Sequence, residues 1–407
     1  MLHTETFTYQ WLTMFDTLAK VHRLTRLHFW TEIKPPIPFS NKNALIIMNS
    51  TKIIPPGRLG DPGMSPATDP RANPKLVETL KAMGLDRYVA MDLPELSVDT
   101  LTPFMATFED QTMNMYENLP NDLPTDKTET PVEITTETIQ GSDGNQIELC
   151  IYKPTFVTDP MPCVLYLHGG GLTIIKTNNR IHNRWLKSLA LQGLIAISVD
   201  FRNAFSTGKH NPFPAGLHDC ASAVQWIHAR KSSLGITKLV LQGESGGANL
   251  ALTTALKANR ENWIKQISGI YATAPYISNG YAWPEDRKRK ELSSILENEG
   301  YWIPIAAMAT MGYYYAPNDT ENPHAWPYYS KVEDLKGLPP VRLVMDELDP
   351  LRDEGVAFYR KLVNARVEAT AHVNLGVVHA SSMIFRKALP EVYNAAIRDV
   401  AVFAKGV

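Results

Sequence analysis

Lys238-Leu-Val-Leu-Gln-Gly243-Glu244-Ser245-Gly246-Gly247-Ala248-Asn249 runs from a short apolar stretch, through a glycine-flanked serine, into a helical stretch that continues from Asn249 to Lys257. The pattern G-x-S-x-G between a strand and a helix describes a sharp turn that lifts the serine hydroxyl above a sheet. The chain doubles back there, so the flanking residues must be small. The following helix presents its positive end where negative charge would develop on a substrate. A glycine-rich turn can produce the same string without chemistry, so the surrounding sequence has to carry the case.

Upstream, the apolar run Cys163 to Leu167 leads into His168-Gly169-Gly170-Gly171. Acyl transfer needs preorganised backbone N–H donors aimed at a tetrahedral oxyanion, and three glycines in a row expose such donors without side chains in the way. A phosphate cradle would need a following GK[ST] or G-x-G-x-x-G spacing, and neither is present. His168 precedes the donors and reads as a residue that holds the loop.

A base and its orienting acid should follow the serine on later strand-end loops, in the order acid then histidine. After the run Val341 to Met345 come Asp346 and then Asp349-Pro350-Leu351-Arg352-Asp353-Glu354; after Thr370 to Leu375 come Gly376-Val377-Val378-His379. His379 lies in a loop that can turn back over the sheet. His372 falls inside the last strand and reads as structural. By position, Asp346 and Asp349 both remain candidates for the acid.

Working outward, further apolar runs at Leu194 to Val199 and Ile267 to Ala272 complete a series of strands alternating with helical segments, which implies a mainly parallel sheet. Its ligand site should lie beyond the carboxyl ends of the strands. Val132, Ile134, Ile147, Leu149 and Ile151 flank Gly141-Ser142-Asp143-Gly144 as a hairpin that opens the catalytic body. Ahead of it, Trp11 to Leu27 has the spacing of an amphipathic helix, which reads as a helix packed on the body, a cap or dimer arm, or a membrane-surface helix. Lys75 to Met83 reads as a short helix that Gly84 ends. The intervening prolines make this region irregular and accessory.

The combination of HGGG, GESGG, DPLRDEG and a late histidine resembles the hormone-sensitive-lipase-like esterase family of α/β-hydrolases, from about Val132 to the C-terminus. Asp200-Phe201-Arg202, Asn211 to Cys220 and Leu338-Pro339-Pro340 fit the same pattern. The resemblance implies an α/β-hydrolase fold, a mainly parallel central sheet flanked by helices. It also implies a helical cap, made from residues 1–130 and from an insertion around 276–326 in the catalytic domain 131–407. It implies Ser245, Asp349 and His379 as catalytic residues, with the acid at Asp349, and Gly170, Gly171 and Gly246 as oxyanion donors. Two departures stand out: Gly246 where the family usually has Ala, which keeps the donor and loosens the turn, and Ala380-Ser381-Ser382 after the histidine where Gly or Ala and an aromatic are usual. The segment Phe205 to His210 is longer than the usual connection.

The implied activity is hydrolysis of short- to medium-chain carboxylic esters through an acyl-enzyme, without metal or organic cofactor. An amidase or lactonase could use the same groups, and a related non-catalytic binding module would be expected to lack His379. The candidate insertion carries Tyr281, Trp283, Trp302, Tyr313, Tyr314 and Tyr315, which either pack cap helices together or line a substrate pocket. Bulk properties agree with an enzyme acting on small molecules. The 407 residues are 44% hydrophobic and 20% charged, and 40 basic against 42 acidic residues leave a net charge of −2, so nucleic acid is not an expected partner. The expected partner is a small-molecule ester, with a homodimer permitted. Cys150, Cys163 and Cys220 sit in apolar stretches without metal-ligand spacing, as buried thiols of a reducing compartment do. With no leader-like start and no spanning segment, a cytoplasmic protein without stable membrane association is expected.

Overall fold

In the computed structural model, which describes residues 54–88, 91–119, 131–206 and 209–407, the apolar runs become an eight-stranded sheet. In chain order the strands are β1 (Val132–Gln140), β2 (Gln146–Pro154), β3 (Met161–Leu167), β4 (Ile195–Val199), β5 (Phe205–Ser206), β6 (Lys209–His210), β7 (Ile236–Glu244), β8 (Gly269–Thr273), β9 (Val341–Asp346) and β10 (Ala369–Asn374). The sheet order is β1-β2-β4-β3-β7-β8-β9-β10, with β5 and β6 paired separately. The β1–β2 hairpin and the β2–β4 pair are antiparallel; every pair from β4 to β10 is parallel.

Strand composition follows position. The central strands β4 and β8 are buried at every residue, because helices cover both faces and no side is left for polar residues. At the edges, β1 is largely exposed and β10 partly so. His372 lies exposed on that last edge strand, opposite Val344, and does not line the cavity described below. The helix Gly246–Arg260 packs on β7 and β8 and against the helix Ala215–Ala229, while Pro390–Gly406 packs on β3, β7 and β8 beside Arg180–Ala190.

The hairpin turn closes through Gly141 N–H to Asn145 O at 2.7 Å, with Gly144 at φ 81°. Arg202 donates to both oxygens of the buried Asp219, at 2.9 Å from Nε and 2.8 Å from Nη2, and Asn145 donates to Asp219 at 2.9 Å. These residues brace the hairpin against the β4 loop.

The accessory region is more regular than its prolines suggest. Pro74–Ala82 is a helix capped by Asn73, and Val98–Asn118 forms a 21-residue helix capped by Ser97 despite Pro103 inside it. Its buried Leu101, Met105, Thr112, Met115 and Tyr116 fall at helical spacing, a signal that was present in the sequence. The stretch Trp11 to Leu27 lies outside the described residues.

Candidate active site

Ser245 stands between β7 and the helix Gly246–Arg260 with φ 55° and ψ −120°, a conformation a non-glycine residue adopts only where its surroundings impose it. Its amide donates to Thr273 O at 2.9 Å, and its carbonyl accepts from Asn249 N and from Tyr276 N, each at 3.2 Å. The turn is therefore held by β8 and by the first helical bond.

The glycine loop after β3 lies directly against this turn. Gly170 and Gly171 have φ 103° and 61°, and Gly170 O accepts from Thr173 N at 3.1 Å and Ile174 N at 3.0 Å, so the loop closes its own turn through a carbonyl. Gly246 opens the helix, where an amide has no intrahelical acceptor. A Cβ on Gly246 would stand 2.5 Å from Leu172 N and 3.1 Å from Gly171 C. The turn is thus tightened, not loosened, by the missing methyl: Gly246 lets the glycine loop close on the serine. Gly246→Ala is expected to leave the fold intact and lower kcat by about tenfold to a hundredfold, as sub-ångström misplacement of donors does. Unchanged kcat in steady-state assays of a folded variant would contradict this close-approach account.

His168 donates from Nδ1 to Gly169 O at 2.7 Å and stacks on Phe201 with centroids 4.4 Å apart. Burial pushes its pKa down to about 4, so the ring is neutral and serves the loop's shape.

His379 Nδ1 donates to Asp349 Oδ2 at 2.8 Å, both side chains being buried. Asp349 Oδ1 accepts from Leu351 N at 2.9 Å. Burial alone would lower the His379 pKa, but the charge of Asp349 and the bond to it outweigh burial and raise it above the ordinary value. The histidine turn is closed by Ala380 at φ 53° and by Ser381 Oγ donating to Val378 O at 2.6 Å, so Ala-Ser-Ser supplies its own geometry there. Asp346 is engaged elsewhere: as the last residue of β9 it faces Asn374 of β10, whose Nδ2 donates to its Oδ1 at 2.9 Å. Burial, then the neighbouring Asp349, pushes its pKa up to about 7.

A cavity of about 110 Å³ opens over these groups, and Gly170, Gly171, Ser245 and His379 all line it. Asp349 stands behind His379, and Gly246 behind the glycine loop. The roof comes from the helix Val98–Asn118, through Phe108, Thr112, Met115 and Tyr116, and from the segment around Trp302 to Met311. Of the aromatic residues of the candidate insertion, Trp302 alone reaches the cavity. Tyr281 donates to the buried Glu354, Tyr315 packs edge-on against Trp326 at 5.5 Å, and Trp283 lies under Arg287 at 3.6 Å. The wall is instead built of Met91, Met115, Met308, Met311, Ile174 and Ile175. Helical spacing in the Val98–Asn118 region could have revealed its share of the roof, and the aromatic content of the insertion pointed to Trp302; Met308 and Met311 had no local signal.

The acid loop is braced from outside. Asn298 donates to Asp349 O at 3.1 Å, Arg352 pairs with Glu297 at 2.7 Å, and Arg71 from the N-terminal region pairs with the same Glu297 at 2.5 Å. Among the described residues there is no group of three or more His, Cys, Asp or Glu placed to hold a metal ion, and no helix long and apolar enough to cross a membrane.

A mainly parallel sheet with a serine elbow at the end of β7 and a glycine loop after β3 is the architecture of the α/β-hydrolase class of enzymes. The family described as alpha/beta hydrolase fold matches residues 164–383. The solved structure of brefeldin A esterase, a bacterial homologue of human hormone-sensitive lipase, is 45% identical, with a TM-score of 0.84 over 86% of this chain and 98% of that one. Esterase LipI of Mycobacterium tuberculosis is 27% identical over 72% of this chain and 88% of its own length. An arylesterase of Saccharolobus solfataricus is 31% identical over 58% and 72%. The chain belongs to the α/β-hydrolase fold family, among the esterases homologous to hormone-sensitive lipase.

Proposed function

We propose that this carboxylic ester hydrolase works through Ser245, His379 and Asp349, with the amides of Gly170, Gly171 and Gly246 as its oxyanion donors. Ser245 Oγ attacks the ester carbonyl carbon while His379 Nε2 takes its proton. The carbonyl oxygen becomes an oxyanion held by the three amides, and the C–O bond to the alcohol breaks as His379 returns the proton to the leaving oxygen. Water then repeats the cycle on the acyl-enzyme and releases the acid and free Ser245. Asp349 keeps His379 in the tautomer with Nδ1–H and stabilises the imidazolium formed in each half-reaction.

The observation that carries this reading is the 2.8 Å bond from His379 to Asp349 in the wall of the cavity into which Ser245 opens. Labelling by a fluorophosphonate, abolished in Ser245→Ala, is the direct test. Labelling that persists in that variant, or hydrolysis of amides in preference to esters, would redirect the assignment.

Residues 1–130 and the insertion around 276–326 serve in this reading as the cap of a catalytic domain spanning 131–407. Support comes from the cavity roof, which the helix Val98–Asn118 and the segment around Trp302 supply together. We place the enzyme in the cytoplasm as a reading supported by its three free cysteines, two of them fully buried.

The small, methionine-lined cavity, about 110 Å³, favours short to medium acyl chains. Each methylene that fits contributes up to about 0.8 kcal/mol, and unbranched methionines adapt to acyl chains of differing shape. Across a series of p-nitrophenyl esters, kcat/KM is expected to rise over the first few carbons and then fall, with no jump where substrate forms an interface. A steady rise to long chains would make the enzyme a lipase.

A further inference from the structure

We propose that Glu244 is a positioning residue of the oxyanion hole, one carboxyl oxygen tying together the glycine loop, the serine elbow and the histidine turn. This inference rests on the reading of Ser245 given above. Glu244 is the last residue of β7, adjacent to Ser245, buried, and part of the cavity wall. Its Oε1 accepts from Gly169 N at 2.6 Å and from Tyr166 Oη at 2.9 Å. Gly169 immediately precedes the two glycines assigned as donors, so the plane of their peptides depends on where that amide is held. Tyr166 belongs to β3, and its hydroxyl also lies 3.3 Å from Met383 Sδ, in the turn that follows His379. Arg184 Nη2 fixes the same turn by donating to Met383 O at 2.5 Å. The glycine loop and the elbow therefore meet at one oxygen, and the histidine turn reaches it through the Tyr166 hydroxyl.

Among the described residues no arginine or lysine pairs with Glu244, and His379 acts on it through charge alone; such a buried acid is costly, and an apolar side chain would fill the place at less expense if filling were the whole task. His182 Nε2 lies 3.8 Å from Oε1, but burial holds that imidazole neutral. What the site requires is an acceptor. Burial raises the Glu244 pKa to about 8, against the opposing bonds from Gly169 and Tyr166, so the carboxyl acts mainly as a neutral acceptor near pH 7. A glutamine carbonyl could serve in its place.

Steady-state kinetics on four variants test this. In Glu244→Ala, kcat should fall by about a hundredfold, the scale of impairing one oxyanion donor, with KM changed far less, because the lost bonds act on the donors and not on the bound ester. Fluorophosphonate labelling should slow in parallel. Glu244→Gln should restore kcat to within about tenfold, since the acceptor remains. Glu244→Leu, which fills the space without an acceptor, stands in should the alanine variant not fold. A folded Ala or Leu variant with kcat within about tenfold of the parent, or a Gln variant as slow as either of them, overturns the inference; so does an effect confined to KM. Ser245→Ala separates this from the larger reading: if it stays active, the nucleophile is misassigned, whereas its loss alongside an active Glu244→Ala defeats only the role of Glu244.

Discussion

Ser245→Ala is expected to lower ester turnover by about a factor of 10⁶, the scale seen when the nucleophile of a serine hydrolase is removed, while the protein stays folded. The residue keeps its unusual backbone through contacts that do not involve the hydroxyl: Ser245 N to Thr273 O, and Ser245 O from Asn249 N and Tyr276 N. Alanine retains all three. The remaining donors and the cavity would still hold a substrate and polarise its carbonyl, which leaves a small catalytic residue over the uncatalysed rate. Circular dichroism and thermal melting check the fold, and p-nitrophenyl ester hydrolysis checks the rate. Near-normal turnover in a folded variant would remove Ser245 from the chemistry.

The second large effect separates two buried aspartates three residues apart. Asp349→Asn should cost on the order of 10³ to 10⁴ in kcat, because an amide facing Nδ1 favours the wrong tautomer and provides no charge to stabilise the imidazolium. Asp346→Asn should cost far less. Asp346 takes bonds from Asn374 and from the Ser381 amide and none from His379, so it acts on the base through charge and through the turn, without a direct bond. Losing it should lower the His379 pKa and leave the plateau rate little changed. The signs also differ in the pH profile. The base must be neutral to accept a proton, so kcat/KM rises with pH through the His379 pKa. Asp349 and Asp346 both raise that pKa, and removing either should shift the rise to lower pH, with a large loss of plateau rate for Asp349→Asn alone. Kinetics of both variants between pH 5 and 9 decide the matter, and the reverse ranking would transfer the acid's role to Asp346.

Local pattern accounts for much of this molecule. The runs at Cys163 to Leu167, Val341 to Met345 and Lys238 to Leu241 are strands within two or three residues at each end, because parallel strands covered on both faces must be continuously apolar. The elbow was legible because backbone geometry at Ser245 admits only small neighbours, and the glycine loop because three bare amides in sequence have few other uses. The choice between Asp346 and Asp349 was not legible from position. It turns on which side chain β10 engages, a cross-strand relation between Asn374 and Asp346 that no spacing encodes.

The cavity wall divides the two kinds of information most clearly. Aromatic residues clustered at 276–326 in the chain, yet most of them pack against one another and against buried partners such as Glu354, while methionines from segments nearly two hundred residues apart face the serine. A side chain's type is local, but which surface it faces depends on how helices from different parts of the chain cross above the sheet. Glu244 shows the same limit in one residue, since only the fold brings Gly169 and Tyr166 to its carboxyl. The sequence by itself determined the class of fold and the kinds of group that meet at the site, because backbone strain, glycine and strand burial act over a few residues. The tertiary structure alone decided what lines the cavity and what braces the donor loop, and it gave the physical reason why Asp349, to which the resemblance pointed, meets His379 while Asp346 does not, because those are contacts made across strands and between layers.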